Sequence, residues 1–139
     1  MKSPRSDKYI TPIHFFNELN NEFHFDNFDP CPIDYEEGIT PNGLEIEWTS
    51  RTFCNPPYSN TKVWIEKSYI EWNKNKLVVL LLDANITSTI AFHQYIYHQN
   101  NIELRFIKGR LSFAHIDHLD KKLKQYPHAS ILIIMRPTQ

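Results

Sequence analysis

The chain has 139 residues, of which 41% are hydrophobic, and its 15 Lys and Arg residues nearly balance its 16 Asp and Glu residues to give a formal net charge of −1. This length fits one domain with a real hydrophobic core and leaves little room for a separate recognition domain. The charge balance excludes binding to nucleic acid through overall basicity, so any basic binding face must be local.

The first half of the chain predicts one helix and two short strands. The segment "TPIHFFNELNNEF" is typical of a helix, with Thr11 as its N-cap and Pro12 at its first helical position. A short strand, "FHFDNF", is expected to run into Asp29. Residues 34–50 are rich in turn formers and predict a long loop. A second short strand, "RTFC", leads into the corner "CNPPYS".

The second half alternates helices with strands. Ser59 or Asn60 can cap a helix over "TKVWIEKSYIEWNKN". The continuous apolar run at residues 77–82, "LVVLLL", is typical of a strand that is buried on both faces. A helix is expected from Thr87 or Ser88 through "TIAFHQYIYHQ", followed by the strands "IELRFIK" and "SILIIMR". This alternation predicts an α/β fold, a central mixed sheet flanked by helices.

Polar residues end three of the predicted strands: Asp29, Asn55 and Asp83. In open α/β sheets the ligand crevice lies at the carboxyl ends of the strands. We therefore expect the loops that contain these three residues to lie together.

The corner that follows "RTFC" has a composition suited to holding an amino group. Pro56 and Pro57 fix the backbone and end the strand, which is also what an ordinary stiff turn requires. The Asn55 side-chain oxygen and the Pro56 carbonyl can each accept a hydrogen bond from an –NH2 group, and Tyr58 offers a flat ring for stacking. Amino-group methylation requires such an arrangement, because two acceptors favour the pyramidal nitrogen that attacks a methyl group.

Cys31 and Cys54 are too few for a disulfide framework or a zinc cluster. The sequence has no apolar run of membrane-spanning length, and its first residues, "MKSPRSDKY", lack the apolar core of a signal peptide. These features predict an intracellular protein that has no membrane segment.

Further motifs accompany "NPPY" along nearly the whole chain. In order they are "DKYITPIHFF", "FDPCPID", "NGLEIEW", "FCNPPYS", "VVLLLDA", "RFIKGRLSF" and "ASILIIM". In their order and spacing they resemble the phage-type DNA N6-adenine methyltransferases, the short Dam-like enzymes of phages and prophages. The resemblance implies a reduced Rossmann-like fold that uses S-adenosylmethionine as methyl donor, a single methyltransferase domain over residues 1–139, and a cytoplasmic location in a bacterial host or phage-infected cell.

The resemblance also implies roles for particular residues. Asn55, Pro56, Pro57 and Tyr58 match the catalytic motif. The residues expected to bind the cofactor are Thr11, Pro12, Asp29, Pro30, Cys31, Asn42 and Asn55. Thr11 and Pro12 would hold its methionine end at a helix N-terminus, while Asn42, with Gly43, would approach its adenine. Gly109 and Arg110 match a late motif that is either structural or faces DNA. No metal is expected.

The chain departs from the usual pattern of methyltransferases in three ways. No glycine-rich turn follows the first predicted strand. No obvious acidic residue follows a second strand to hold the ribose hydroxyls, and Asp34, Glu36 and Glu37 are equal candidates for that role. Position 83 is an Asp where relatives are expected to have a small residue or proline, and the sequence offers no account of it.

Several features also have ordinary structural interpretations. Thr11 and Pro12 form an ordinary helix start, and Asp29 is a common turn-capping residue. Trp64 and Trp72 are expected in a core or interface, and nothing around the two cysteines marks a reactive thiolate. The remaining candidates are a metal site or solvated histidines at His115, His118 and His128, and a phosphate-facing loop or a solvated charge run at Lys121, Lys122 and Lys124.

The expected partner is DNA. Duplex DNA hides N6 in a base pair, so a duplex substrate requires the adenine to be flipped out. A small single domain then implies weak sequence specificity, a single-stranded substrate, or a homodimer or partner subunit. Two alternatives stay open: methylation of RNA adenine or protein glutamine, and a catalytically silent subunit with a methyltransferase fold.

Overall fold

The computed structural model describes residues 9–115, 124–125 and 128–139. The described part contains three α-helices and seven strands. The helices are α1 (Ile13–Phe23), α2 (Thr61–Trp72) and α3 (Ile90–Tyr95). The strands are β1 (Tyr9–Ile10), β2 (Arg51–Cys54), β3 (Leu77–Asp83), β4 (Ile102–Phe106), β5 (Ser112–His115), β6 (Lys124–Gln125) and β7 (Ser130–Met135).

Four strands form a mixed central sheet in the order β2, β3, β7, β4. Strands β2 and β3 are parallel, whereas β7 is antiparallel to both of its neighbours. It follows that β2, β3 and β4 all point the same way and that their carboxyl ends lie at one edge of the sheet. The predicted α/β class with a mixed sheet is confirmed. A smaller sheet, in the order β1, β5, β6, is also present.

The central sheet separates two apolar clusters. Side chains alternate across β3, so that Leu80 contributes to one cluster and Leu81 to the other. Helices α2 and α3 cover the first face through Trp64, Ile65, Trp72, Ala91 and Phe92. Helix α1 covers the second face through Leu19 and Phe23. Residues 77–82 are all buried, which confirms the prediction of a strand covered on both faces.

The predicted strand "FHFDNF" is wrong. Helix α1 ends at Phe23, and His24 has a φ of 53° in the left-handed region, so the chain turns there instead of continuing as a strand. Asp26 N donates to Arg51 O at 2.8 Å, but Arg51 N donates to the Asp26 carboxylate at 2.9 Å. Because a side chain takes the place of the backbone carbonyl, no ladder with β2 propagates. Asp29 therefore follows a loop and does not end a strand.

The helix starts also differ slightly from the prediction. Pro12 is the N-cap residue of α1 and makes no side-chain cap, so Thr11 lies one position before the cap. Asn60, one of the two predicted residues, occupies the N-cap of α2. The third helix is shorter than expected, because a 3-10 helix over Ala84–Ser88 precedes it and Thr89 caps it by accepting from Phe92 N.

A carboxylate in the core joins the long loop to α2. Glu71 is 0% exposed, and its Oε1 accepts hydrogen bonds from Trp48 N at 3.0 Å and Lys76 Nζ at 2.6 Å. Its Oε2 accepts from Lys67 Nζ at 2.8 Å and Lys74 Nζ at 3.0 Å. Burial alone would raise the pKa of Glu71, but the bonds from the lysines and from Trp48 N lower it to about 2.

We expect Glu71→Gln to lower the free energy of unfolding by roughly 3 kcal/mol at neutral pH, because the lysines lose their buried counter-charge. The folded-state pKa is lowered from 4.5 to about 2. The stabilisation is therefore fully present above the unfolded-state value and is lost as the pH falls from 4.5 toward 2. Urea denaturation of both proteins across this range measures the effect.

The control is Glu66→Gln, on the exposed side of the same helix, where the carboxylate accepts one bond from Tyr95 OH at 2.8 Å. Its cost should stay below about 0.5 kcal/mol. Equal costs for the two variants, or a gap between parent and Glu71→Gln that does not narrow in acid, would contradict this account of Glu71.

Candidate active site

The "NPPY" corner directly follows β2 at the carboxyl edge of the sheet. Pro56 and Pro57 are buried, and Pro57 is extended, with φ −61° and ψ 137°. The chain then turns into a 3-10 helix over Tyr58–Asn60 that leads into α2. The Thr61 hydroxyl donates to Tyr58 O at 3.1 Å. These contacts hold the corner between a buried strand and a buried helix.

The Asn55 side-chain amide is held in one orientation. Its Nδ2 donates to the backbone carbonyl of Tyr9 at 2.9 Å and to Thr11 Oγ1 at 3.0 Å. A backbone carbonyl can only accept, so the nitrogen must be the amide atom that faces Tyr9. Asn55 Oδ1 is buried and accepts no hydrogen bond from the part of the chain that the structure describes. Such an oxygen is costly unless a donor reaches it.

Tyr58 presents a neutral aromatic ring beside this amide. Its ring stacks on that of Tyr9, with centroids 5.3 Å apart and planes inclined by 24°. Burial, with smaller contributions from Asp83 and Tyr9, raises the pKa of the Tyr58 phenol well above its usual value. The phenol therefore stays protonated throughout the physiological pH range.

The smaller sheet brings the N-terminal segment to the corner. Tyr9 pairs with His115 and Ile10 with Ala114, which fixes the course of the backbone just before Thr11. Sequence reasoning placed Thr11 in the site but missed Tyr9. The only signal for Tyr9 was its place within "DKYITPIHFF". Tyr9 contacts Asn55 through a backbone carbonyl, and its strand partner is distant in sequence, so neither contact produces a local sequence pattern.

Two of the predicted cofactor-binding loops have similar local geometry. Asp29 Oδ1 accepts from Cys31 N at 2.9 Å, and Asn42 Oδ1 accepts from Leu44 N at 2.9 Å. Each is a turn in which an Asp or Asn side chain bonds to the backbone two residues later. Asp29 therefore caps its own turn through Oδ1, as the turn-capping interpretation predicts.

The same two loops pack closely at Gly43. A Cβ added there would lie 1.8 Å from Pro30 O, so only glycine allows this approach. Gly43 O accepts from Trp48 Nε1 at 2.7 Å. The structure thus brings together the segments that carry Pro30 and Asn42, a contact that the sequence pattern does not predict.

Asp83, at the end of β3, now has a structural account. Its Oδ1 accepts from Asn85 N at 2.8 Å and so caps the 3-10 helix that follows the strand. Its Oδ2 lies 3.1 Å from His128 Nδ1. Its negative charge also acts on Tyr58. Asp83 and the "NPPY" corner therefore lie near one another, as expected for neighbouring parallel strands.

The turn between β4 and β5 lies at the same edge of the sheet. Ile107 and Leu111 pack against the apolar cluster beneath α1. Between them Lys108 and Arg110 are exposed, and Gly109 adopts a φ of +74° with open space around its Cα. The apolar flanks anchor a turn whose two cations face solvent.

Other predicted features lie elsewhere. Trp64 and Trp72 are in the core, as expected, and Cys31 and Cys54 are buried and form no disulfide with each other. Of the histidines and lysines considered earlier, His118, Lys121 and Lys122 lie outside the described residues, and His115 and Lys124 lie in β5 and β6. Within the described ranges no group of three His, Cys, Asp or Glu residues has the arrangement to hold a metal ion.

Comparison with known proteins places the chain in a family. No curated protein and no solved structure matches it. No helix in the described part of the chain is long and apolar enough to cross a membrane. A family model described as DNA N-6-adenine-methyltransferase (Dam) matches residues 1–139, which confirms the resemblance drawn from the motifs. The chain therefore belongs to the Dam family of DNA N-6-adenine-methyltransferases.

Proposed function

We propose that this protein transfers a methyl group from S-adenosylmethionine to the exocyclic N6 amine of adenine in DNA, on a reduced Rossmann-like fold. The observation that carries the proposal is the Asn55 amide, which is held through its nitrogen while its buried oxygen lacks a donor among the described residues. The family match supports the reaction and the nucleic acid. The orphaned oxygen supports Asn55 as the group that binds the N6 amine.

The chemical role of the corner follows from the electronic structure of the amine. The N6 lone pair is delocalised into the adenine ring, which makes the amine a poor nucleophile. Asn55 Oδ1 and the Pro56 carbonyl would accept hydrogen bonds from its two N–H groups and favour the pyramidal, nucleophilic form. One preorganised hydrogen-bonding group of this kind is worth roughly a hundred- to a thousandfold in rate. S-adenosylmethionine supplies an electrophilic methyl group.

The target adenine would stack on the Tyr58 ring, an interaction worth about 1–3 kcal/mol. A base between two rings needs a separation of about 7 Å, twice the carbon contact distance of ~3.5 Å. The Tyr9 and Tyr58 centroids are 5.3 Å apart. An adenine that stacked on the Tyr58 face now covered by Tyr9 would displace the Tyr9 ring, whether that adenine is single-stranded or flipped out of a duplex.

The two closely packed loops and the start of α1 suit the cofactor. The first turn of α1 has no side-chain cap, which leaves N–H groups for the carboxylate of the methionine moiety. The residues that would hold the cofactor are Thr11, Pro12, Asp29, Pro30, Cys31, Asn42 and Asn55. Asp34, Glu36 and Glu37 are all exposed and remain equal candidates for the ribose hydroxyls.

We expect Gly43→Ala to weaken S-adenosylmethionine binding by at least about tenfold, because the added Cβ forces the Pro30 carbonyl away and separates the two loops. Calorimetric titration measures the affinity. Gly109→Ala is the control, since it meets no atom within 4 Å and carries only the strain of a φ of +74°. Equal affinities in Gly43→Ala and the parent would remove these loops from the cofactor site.

We expect Asn55→Ala to slow methyl transfer by at least about a hundredfold, because the amine loses one of its two acceptors. Its affinity for S-adenosylmethionine should stay within about threefold of the parent, since Asn55 is only one of the residues proposed to hold the cofactor and the others are untouched. Radiolabelled transfer to single- and double-stranded DNA that contains every short adenine context, with identification of the modified nucleoside, tests both the reaction and the variant.

Asn60→Ala is the matched control, because Asn60 makes no side-chain cap at the start of α2. It should transfer methyl groups at the parental rate. Activity of Asn55→Ala equal to that of Asn60→Ala would remove the proposed mechanism. If the parent protein methylates RNA or protein and not DNA, the methyl acceptor is another substrate. If the parent protein does not bind S-adenosylmethionine, a catalytically silent subunit is favoured.

We propose that the turn between β4 and β5 contacts the DNA backbone. Strand β4 is three positions from β2 in the sheet, which corresponds to about 14 Å at a strand spacing of ~4.8 Å. Lys108 and Arg110 would therefore contact phosphates that flank the target base. The chain carries little net charge, so a local basic turn is the kind of binding face that its composition requires.

We expect the double variant Lys108→Ala and Arg110→Ala to weaken DNA binding and to reduce the slope of log K against log salt by roughly 1 to 2, because each lost phosphate contact removes about 0.9. Fluorescence anisotropy with a labelled oligonucleotide at several salt concentrations measures the slope. The exchange of the two cations, Lys108→Arg with Arg110→Lys, should leave the slope unchanged. An unchanged slope in the alanine variant would place the DNA elsewhere.

A further inference from the structure

We propose that the Tyr9 carbonyl and the Thr11 hydroxyl are positioning groups that decide which atom of the Asn55 amide faces the target base. The inference rests on the proposed function and extends it to residues outside the "NPPY" motif. Both groups lie within hydrogen-bond distance of Asn55 Nδ2, at 2.9 Å and 3.0 Å. Together they accept hydrogen bonds from both N–H groups of the amide nitrogen.

The choice of atom matters because an amide has two nearly isosteric ends with opposite hydrogen-bonding character. Oδ1 can accept a hydrogen bond from the N6 amine, whereas Nδ2 would confront the amine with a second donor. A rotation of about 180° around the terminal side-chain bond exchanges the two ends, and the broad two-fold torsion of Asn offers little resistance to it. An unrestrained Asn55 would therefore spend part of its time in an inactive orientation.

The two positioning groups act differently. The Tyr9 carbonyl only accepts, so it bonds to the productive orientation and repels the inverted one. The Thr11 hydroxyl can donate or accept, so it tolerates either orientation and adds a second bond to the productive one. We infer that Tyr9 O selects the orientation and that Thr11 Oγ1 strengthens it.

The backbone around these groups is stiff enough for the task. Tyr9 and Ile10 are paired with His115 and Ala114 in the smaller sheet, which directs the Tyr9 carbonyl. Thr11 precedes Pro12, and a residue before proline is restricted to extended conformations. Pro12 itself has a φ of −57°. The Thr11 side chain is not used as an N-cap, so its oxygen is available to Asn55.

A structural readout tests the positioning directly and needs no activity. In 15N-labelled protein the Asn55 side-chain –NH2 signals are identified by their absence from Asn55→Ala. Both protons should exchange with solvent at least about tenfold more slowly than those of Asn60, because both are hydrogen-bonded. Thr11→Val removes the hydroxyl at nearly constant volume and should accelerate exchange of one proton. Exchange as fast as that of Asn60 in the parent overturns the proposal.

Single-turnover methyl transfer gives the functional readout. Thr11→Val should be slower than the parent by about tenfold at saturating S-adenosylmethionine and DNA. Its affinity for S-adenosylmethionine should fall by less than its rate, by at most about threefold, because Thr11 is only one of the residues proposed to hold the cofactor. Thr11→Ser, which keeps the oxygen, should stay within about threefold of the parental rate. Asn55→Asp should lose about a hundredfold, because a carboxylate oxygen would face the Tyr9 carbonyl even though a carboxylate is a good acceptor for the amine.

The outcomes separate this inference from the proposed function. Parental rates in Thr11→Val and Asn55→Asp would overturn the positioning role while methyl transfer itself stands. A loss of S-adenosylmethionine affinity in Thr11→Val that equals its loss of rate would assign Thr11 to cofactor binding and overturn its positioning role. If the parent methylates no DNA, the proposed function fails, and the exchange measurement still decides whether the amide is held.

Discussion

The hydrogen bond from Asn55 Nδ2 to the Tyr9 carbonyl is the interaction on which the geometry of the candidate active site depends. It connects the central sheet, through the end of β2, to the smaller sheet, through β1. The buried strands make the corner rigid, but rigidity of the backbone does not orient a side-chain amide. That orientation comes from a segment more than 40 positions away in sequence. The candidate site is therefore formed by the packing of two sheets, and neither sheet contains it alone.

Local sequence patterns predicted the elements whose structure depends mainly on residues close in sequence. Residues 77–82 are apolar without interruption and are buried on both faces, and the prolines of the corner end β2 where their geometry requires it. Helix α2 begins after Asn60, one of the two predicted caps. In each of these places propensity, periodicity and burial agree, so the pattern alone determined the structure.

The predictions were wrong or absent where the structure depends on a contact between residues that are distant in sequence. The alternation in "FHFDNF" is that of a strand, but the left-handed His24 and the carboxylate of Asp26 redirect the chain. Nothing near Gly43 signals that Pro30 lies against it, and nothing near Tyr9 signals that its carbonyl binds an amide. These contacts join residues far apart in sequence through backbone atoms, which leave no trace in residue type.

The ion network around Glu71 has a consequence for how the protein meets DNA. Lys67, Lys74 and Lys76 all bond to this one carboxylate, and Arg105 and Arg136 are paired with Glu22 and Glu103. Glu71 and Glu47 offset two of the three lysine charges, and Glu22 and Glu103 offset both arginine charges. With a formal net charge of −1 over the whole chain, little long-range field attracts DNA, so we expect weak electrostatic steering of the diffusional encounter. Collisions with DNA are then limited by orientation instead of being accelerated by charge. Such an enzyme gains productive encounters mainly from the local concentration of DNA.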